Sequence, residues 1–419
     1  MEYAKQTNEK IYLRQAEILH GLLETLVPQV IEQQKPADRV LAAFFKRRRE
    51  LGSRDRRFLS ECFFSYFRWL GWTNKMDTIS NPVEKAALSR MLDGAEIHPA
   101  LVPFVKVDAT ETSRLHYSDL FPAGFEKHIS IPAGREHDFY ESLQRRPPVW
   151  LRLRSEKFEA VLSAAGIQFR QHPVLHNAIA LDAGVSLAAL GAGGQYSVQD
   201  INSQAVVEIA APESGSDWWD ACAGTGGKSL QLADKIGGAG KVLSTDVRQS
   251  ALQECKKRAR AAGIKNIRTQ LHNLAGERGG HSCLIKNGRQ ECLPHLFDGV
   301  LVDAPCSGWG TWNRNPDARW RSDLRDPAQK RNLQLRMLDR AAECVKPGGV
   351  LVFAVCTFTV AETGEVVAGF LKDHPEFSLA PFINPLTGEQ TNGTLQLWPY
   401  DGPGSGMFIA KFVKQETHS

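Results

Sequence analysis

The sequence predicts a multidomain protein with an all-α N-terminal region, a small α+β unit and a C-terminal α/β domain built on a doubly wound, largely parallel sheet. Three observations predict this. From Gln15 to Trp72, apolar residues recur at three- and four-residue spacing with few breakers. Around Gln144 the texture changes to an extended run after Pro147 and Pro148. From Asp217 onward, apolar strand-like runs alternate with helical stretches.

A chain of 419 residues is longer than one typical core accommodates, which favours several domains. Boundaries are expected at 1–135, 136–205 and 206–419. Hydrophobic residues at 42% and charged residues at 23% exclude a disordered chain. The net charge of +4 is only mildly basic, so a case for nucleic acid must rest on where the charges sit. One cluster stands out: "FKRRRELGSRDRRF" sets Lys46, Arg47, Arg48, Arg49, Arg54, Arg56 and Arg57 against Glu50 and Asp55. The opening residues hold no uninterrupted apolar core of signal-peptide length, and nothing later approaches a membrane span. Eight cysteines without a dense framework read as reduced thiols, and a cytoplasmic protein is expected.

In order along the chain, "AEILHGLLETLVPQVIEQ" and "DRRFLSECFFSYFRWLGW" are amphipathic helices, and "VEKAALSRMLDG" is another that stops at Gly94. "RRPPVWLRLRSEKFEAVLSAAGIQFRQHPVLHNAIAL" reads as a strand, a short helix and alternating residues. A glycine-rich turn and a helix lead into "DWWDACAG", "GKVLSTDV", "NIRTQLHN", "FDGVLVDAP" and "GGVLVFAVCT", five strands of the parallel sheet. "SGMFIAKFVKQ" supplies a last antiparallel edge strand.

"DACAGTGGKSLQLAD" follows a strand and opens a helix, where backbone N–H groups gather around a ligand. A nucleotide P-loop fails because Cys222 stands where its first glycine belongs, and a dinucleotide fingerprint fails at Ser229. S-adenosylmethionine needs glycines for close backbone approach and an acid at the end of the next strand for its ribose, which Asp246 supplies. Cys222, Ala223, Gly224, Thr225, Gly226, Gly227 and Lys228 are therefore cofactor-binding candidates, with Asp246, Asn273 for the adenine edge, and Asp303. Ligands in open α/β sheets sit at the carboxyl ends of strands, so Asp220, Asp246, Asn273, Asp303 and Cys356 should surround one crevice.

Cys306 follows the fourth strand and Cys356 ends the fifth. Each alone reads more simply as a small buried hydrophobe. Beside a methyl donor they suggest thiolate addition to C6 of a cytosine, which makes C5 nucleophilic; a base then removes the C5 proton and the thiolate leaves. Asp303, when protonated or sharing a proton with the base, could hydrogen-bond the ring N3, with Lys228 a nearby donor or charge.

These residues carry a resemblance. The chain resembles the RNA cytosine-5 methyltransferases of the Nop2/Sun family, in particular the bacterial small-subunit ribosomal RNA type with a NusB-like N-terminal domain. "DACAGTGGK", "VDAPCSGWGTWNRNPDARW" and "AVCTFTVAETGEVV" are similar to its cofactor motif and its two cysteine motifs. "RRPPVWLRLR" and "YSVQDINSQAVV" resemble the lead-in to the catalytic domain, and "DRRFLSECFFSYFRW" a NusB-like helix. The resemblance implies a NusB-like helical domain, an RRM-like α+β unit and a Rossmann-like methyltransferase domain; a monomer is expected. The resemblance also implies Cys356 as the nucleophile and Cys306 as the residue that helps resolve the covalent intermediate; with Asp303 and Lys228 from the reading above, these are the catalytic candidates. The departures are Gly224 and Thr225 in place of Ala-Pro, Asn273 in place of a common aspartate, Val355 in place of a threonine, and Ala361. Transfer RNA methylation by the same chemistry, or an RNA-binding assembly or antitermination factor that has lost catalysis, are the alternatives.

With an RNA substrate, Arg47, Arg48 and Arg49 become candidate phosphate contacts, although a solvated helix face has the same charge pattern. Arg314 and Arg319, with Trp309 and Trp312, either pack or flank a flipped base. "HSCLIKNGRQECLPH" offers His281, Cys283, Cys292 and His295 to a metal, but Asn287-Gly288 between two short apolar runs favours a β-hairpin, and no metal is expected.

Overall fold

A computed structural model describes residues 2–105, 115–155, 157–182, 185, 187, 194–276, 285–286, 289–290 and 296–416. The chain folds as two compact units, Met1–Arg146 with Thr311–Leu324, and Pro147–Gly310 with Arg325–Ser419. The chain thus passes from the second unit into the first directly after the segment that carries Cys306.

The first unit is helical, as the apolar periodicity predicts, with α-helices Glu2–Ile31, Ala37–Arg47, Ser53–Thr73 and Pro82–Leu92. In the third, Phe58, Leu59, Cys62, Phe63, Tyr66, Phe67 and Leu70 make one buried stripe packed with Leu19, Leu22 and Leu26 of the first helix. Each such fully buried side chain contributes roughly 1.5–3 kcal/mol. Asp55 accepts the Gly52 N–H that the helix start would leave open. Pro82 suits the first turn of its helix, where Asn81 accepts the Val83 N–H at 2.8 Å, and Gly94 turns the chain away at φ 67°. Asp93 accepts from Ser65 at 2.6 Å and Trp69 at 2.8 Å, and pairs with Arg68 at 3.3 Å.

The same unit holds the returning segment 311–324. Trp320 donates its indole N–H to Phe67 O at 2.6 Å, and Asp317 accepts the Ala37 N–H at 3.1 Å. Trp312 is fully buried and its ring lies 5.9 Å from that of Phe121.

The second unit contains two sheets and a hairpin. Strands β1 (Val149–Leu153), β2 (Phe169–Gln171), β3 (Ala178–Leu181) and β4 (Tyr196–Val198) form an antiparallel sheet in the order β2-β3-β1-β4. The helix Lys157–Ala164 between β1 and β2 buries Phe158 and Leu162 against Leu151, Leu153, Ile179 and Leu181. Arg152 and Arg154 of this sheet both pair with Asp234, at 2.8 and 2.7 Å.

The large sheet comprises β5 (Trp218–Asp220), β6 (Val242–Asp246), β7 (Ile267–Leu271), β10 (Phe297–Asp303), β11 (Val345–Val355), β12 (Phe377–Leu379), β13 (Thr394–Leu397) and β14 (Met407–Lys414). The hairpin strands β8 (Ile285–Lys286) and β9 (Arg289–Gln290) pair antiparallel on either side of Asn287-Gly288, in agreement with the hairpin reading. Asn287, Gly288, His281, Cys283, Cys292 and His295 lie outside the described residues.

The main path runs β12-β14-β11-β10-β5-β6-β7, with β13 also on β14. Strands β11, β10, β5, β6 and β7 are parallel neighbours, as expected. Trp219, Val300, Val302, Phe353 and Val355 pack on one face, and Trp218, Val242, Leu301, Val352 and Ala354 on the other. Burial on both faces explains the near-continuous apolar runs. The final strand differs from expectation. It is antiparallel, but β12 and β13 pair with it, so it is interior to the sheet rather than an edge. Those two short strands carry too few alternating apolar residues to announce themselves in sequence.

Among the described residues no helix is long and apolar enough to cross a membrane.

Candidate active site

Parallel strands bring their carboxyl ends to one edge, and the sheet register fixes what meets there. Asp220, Asp246 and Asp303 are the last residues of β5, β6 and β10, and Cys356 follows the last residue of β11. Asp303 pairs in register with Ala354, and Leu301 with Asp220.

After β5 the chain turns tightly. Ala223 N–H donates to Thr245 O at 2.8 Å and Gly226 N–H to Ala223 O at 2.9 Å, folding residues 223–226 back before the helix Gly227–Ile236 begins. Gly226 has φ 88°, and a Cβ there would sit 2.5 Å from Cys255 Sγ. Only glycine satisfies both the backbone angle and the space.

Asp246 closes the turn from the neighbouring strand. Its carboxylate accepts the Gly224 N–H at 2.9 Å and the Arg248 N–H at 2.8 Å, and pairs with the Arg248 guanidinium at 3.1 Å. Burial works against its charge, but the Arg248 side chain and these two N–H groups outweigh it and hold the carboxyl below its ordinary value. Asn273 is exposed two residues beyond β7, its Oδ1 accepting the Ala275 N–H at 3.2 Å.

Lys228 occupies the first turn of the helix, where a cation is disfavoured by the helix dipole, yet only 8% of it is exposed. It donates to Asp303 Oδ2 at 2.7 Å. Burial opposes its charge, whereas Asp303, Asp220 and Cys356 favour it, and the ammonium is held above its ordinary value. Asp220 is 1% exposed; Ser229 donates to its Oδ2 at 2.6 Å, while Oδ1 has no hydrogen-bond partner among the described residues. Burial pushes Asp220 up to about 7, against the Ser229 hydrogen bond. Burial and then the Asp220, Asp303 and Asp246 charges push the Cys222 thiol well above its ordinary value.

The two cysteines predicted to share one reaction meet: Cys306 Sγ lies 3.3 Å from Cys356 Sγ, and neither is in a disulfide. Gly310 N–H donates to Cys356 O at 3.0 Å, fastening the Cys306 loop to the end of β11. The hydrogen bond with Cys356, then burial, then the charges of Cys356 and Glu362 push the Cys306 thiol well above its ordinary value. A proton held on Cys306 and shared with Cys356 suits a pair in which one sulfur attacks and the other remains a thiol.

Residues 207–413 match the family described as 16S rRNA methyltransferase RsmB/F. These residues are a methyltransferase domain of the RsmB/F type. A protein named Ribosomal RNA small subunit methyltransferase B from Salmonella arizonae is 27% identical over 450 aligned positions, spanning 95% of this chain and 99% of that one. The solved structure entitled PH0851 has a TM-score of 0.70 at 23% identity, covering 91% of this chain and 95% of that one. NSun6 from Pyrococcus horikoshii, solved with SFG, has a TM-score of 0.56 at 16% identity over 66% of this chain and 94% of its own. These two likenesses establish the fold: a helical N-terminal region followed by a mixed α/β methyltransferase domain with a parallel sheet.

Four of the expected residues thus come together in two contacts of the RsmB/F domain, Lys228 with Asp303 and Cys306 with Cys356. The arginine candidates divide. Arg47 and Arg49 are exposed, and Arg48 is half-buried, paired with Glu50 and lying 5.7 Å over the Phe44 ring. Arg314 is half-buried. Arg319 corrects the expectation of a phosphate contact. It is fully buried in the first unit and donates to Leu120 O at 3.1 Å, Leu143 O at 3.0 Å and Gln144 Oε1 at 3.2 Å, with Phe121 4.7 Å beneath it. Its guanidinium closes backbone carbonyls and has no surface to offer RNA. Trp309 and Trp312 are likewise fully buried, so neither presents a face for a flipped base.

Sequence reasoning missed Arg248 and Glu362. Arg248 lies two residues beyond Asp246, a spacing that would have suggested a partner for the acid. Glu362 stands six residues after Cys356 and gives no local signal, because only its complete burial distinguishes it.

Proposed function

We propose that this protein transfers a methyl group from S-adenosylmethionine to C5 of a cytosine in RNA, through a covalent bond between Cys356 and C6. The substrate is small-subunit ribosomal RNA. The observation that carries the reading is the Cys306–Cys356 pair, 3.3 Å apart at the carboxyl ends of strands that also present the Lys228–Asp303 ion pair. An intact set of four such groups argues against a protein that has lost catalysis.

The residues fit the cofactor. A Cβ on Gly227 would meet nothing within 4 Å, so the backbone at the helix start faces open space. Asp246 is ionised at the end of β6, suited to accept ribose hydroxyls, and Asp220 Oδ1 is a buried polar atom with no hydrogen-bond partner among the described residues. Residues Cys222–Lys228, Asp246, Asn273 and Asp303 would line the site. When bound, S-adenosylmethionine supplies an electrophilic methyl group.

In the chain's own chemistry, the Cys356 thiolate forms the S–C6 bond as the C5–C6 double bond opens toward C5, and the Lys228 charge offsets the electron density the ring gains. Asp303 holds Lys228 in place and, sharing a proton with the base, would meet the pyrimidine N3. Once C5 carries its methyl group, a base takes the C5 proton, the C5–C6 double bond re-forms from that C–H pair, and Cys356 departs as thiolate; Cys306, a thiol beside it, hydrogen-bonds to the departing sulfur.

The helical first unit is read as NusB-like, with Arg47, Arg48 and Arg49 contacting phosphate, and the four-stranded unit as RRM-like. Domain limits of 1–135, 136–205 and 206–419 remain part of this reading, as do a monomeric state, a cytoplasmic site of action and catalysis without a metal. The test is bisulfite sequencing of ribosomal RNA from cells with and without the gene. One protected cytosine in small-subunit RNA that disappears with the gene is the expected result. An unchanged ribosomal pattern with loss in transfer RNA would replace the substrate.

A further inference from the structure

Glu362 is fully buried in the short turn after Cys356, and the chemistry above does not use it. Its Oε1 accepts the Ser307 N–H at 2.8 Å and Gln334 Nε2 at 3.1 Å. Its Oε2 accepts the hydroxyl of Ser307 and that of Thr359, the latter at 2.8 Å. Ser307 follows Cys306, Thr359 is three residues past Cys356, and Ser307 Oγ lies 3.0 Å from Thr357 Oγ1. Gln334, from the helix Asp326–Glu343, also donates to Pro305 O at 3.1 Å. One carboxylate therefore gathers the loop on each side of the sulfur pair and a helix beneath both.

These four donors are a backbone N–H, two hydroxyls and an amide, and none is a cation. Two donors on each oxygen fill the acceptor positions that an ionised carboxylate offers, whereas a protonated one would need an acceptor among them. We propose that Glu362 is a positioning residue that holds the Cys306 and Cys356 loops in register and keeps a negative charge behind Cys306. Resting on the division of roles between the two cysteines given above, this assigns the protonated state of Cys306 to Glu362 as well as to its neighbour sulfur. A negative charge nearby disfavours a second thiolate, so Cys306 stays a thiol while Cys356 attacks.

The bonding pattern supplies a clean separation of charge from architecture. Oε1 faces two N–H donors that cannot reverse, whereas Oε2 faces two hydroxyls that can turn to accept. Glu362→Gln places its oxygen at the first position and its NH2 at the second, so the loops stay tied and only the charge is lost. The experiment is peptide-resolved iodoacetamide alkylation of Cys306 across pH, alongside thermal melting and the pH–rate profile on unmodified small-subunit rRNA transcript.

Glu362→Gln should melt within a few degrees of the parent, lower the Cys306 alkylation midpoint by about one pH unit, and move the alkaline limb of the rate profile the same way. An unchanged midpoint in the folded variant overturns the proposal and leaves Glu362 a loop staple. Should Glu362→Gln not fold, Thr359→Val keeps the charge and drops one donor; it should leave the midpoint at or above the parent's, and a fall would overturn the proposal. Alkylation needs no turnover, so a parent protein that fails to methylate the transcript sinks the functional reading without deciding the fate of this one.

Discussion

The carboxylate of Asp246 accepts the Gly224 N–H at 2.9 Å, which ties the end of β6 to the glycine turn that follows β5. The acid expected to bind ribose therefore also shapes the loop beside it. Arg248 pairs with the same carboxylate but is itself largely exposed, so a ligand hydroxyl could take its place.

Asp246→Ala should weaken S-adenosylmethionine binding about 10-fold to 100-fold, since hydrogen bonds to a charged group contribute roughly 1.5–3 kcal/mol each. Titration calorimetry on the folded variant measures this. Arg248→Ala should leave affinity within about threefold of the parent, because the exposed pair contributes little. Unchanged affinity in Asp246→Ala would remove the residue from the site.

Asp220 makes stability depend on pH with an unusual sign. Its carboxyl is raised from 3.8 to about 7 by burial. Between those values the folded state holds a proton that the unfolded state has released, so this group's contribution to stability falls as pH rises, and is fully lost above the folded value. Asp220→Asn should remove that slope, with its amide nitrogen at the position of the partnerless Oδ1. The urea-unfolding difference between variant and parent should grow in the variant's favour from pH 5 to pH 8. A difference independent of pH would place the raised value in doubt.

How far the sequence told this in advance varies with the kind of residue. Asp220, Asp246 and Asp303 were legible because each ends an apolar run, and parallel pairing must bring such ends to one edge. The cysteine pair was legible for the same reason, although only folding shows the two sulfurs within 3.3 Å. Arg319 misled because "NPDARW" looks like a polar loop, whereas three acceptors from distant positions draw its guanidinium inside. Strands β12 and β13 are three and four residues long and acquire their identity by pairing with β14. Such partners lie far away in sequence, and no window centred on the residue contains them.

The arginines now separate into two kinds. Burial drives Arg319 down to about 9, with Arg68 adding repulsion and Asp317 opposing it. Arg319→Met should destabilise the protein by about 2–4 kcal/mol, because it strands buried carbonyls, without changing the salt slope of RNA binding. Replacing Arg47 and Arg49 by Ala should leave stability within about 0.5 kcal/mol and lower that slope by roughly one to two, as lost phosphate contacts do. Filter binding across a salt series and urea unfolding read the two effects independently. Identical salt slopes for parent and double variant would return Arg47 and Arg49 to a solvated helix face.

The sulfur pair sets the final prediction. If Cys356 attacks C6, Cys356→Ala should lose methylation, by about four orders of magnitude or more as for other nucleophile deletions, and form no covalent RNA adduct. If Cys306 is the thiol that helps the adduct break down, Cys306→Ala should still attack and methylate but remain joined to its RNA. Incubation of each variant with unmodified transcript and S-adenosylmethionine, followed by a denaturing gel, shows this as a slow-migrating protein–RNA band from Cys306→Ala alone. The 3.3 Å separation makes the comparison a demanding one, because a base brought up to one sulfur is also close to the other. A band from Cys356→Ala and none from Cys306→Ala would make Cys306 the attacker. Full activity in both variants with no band from either would end the covalent mechanism.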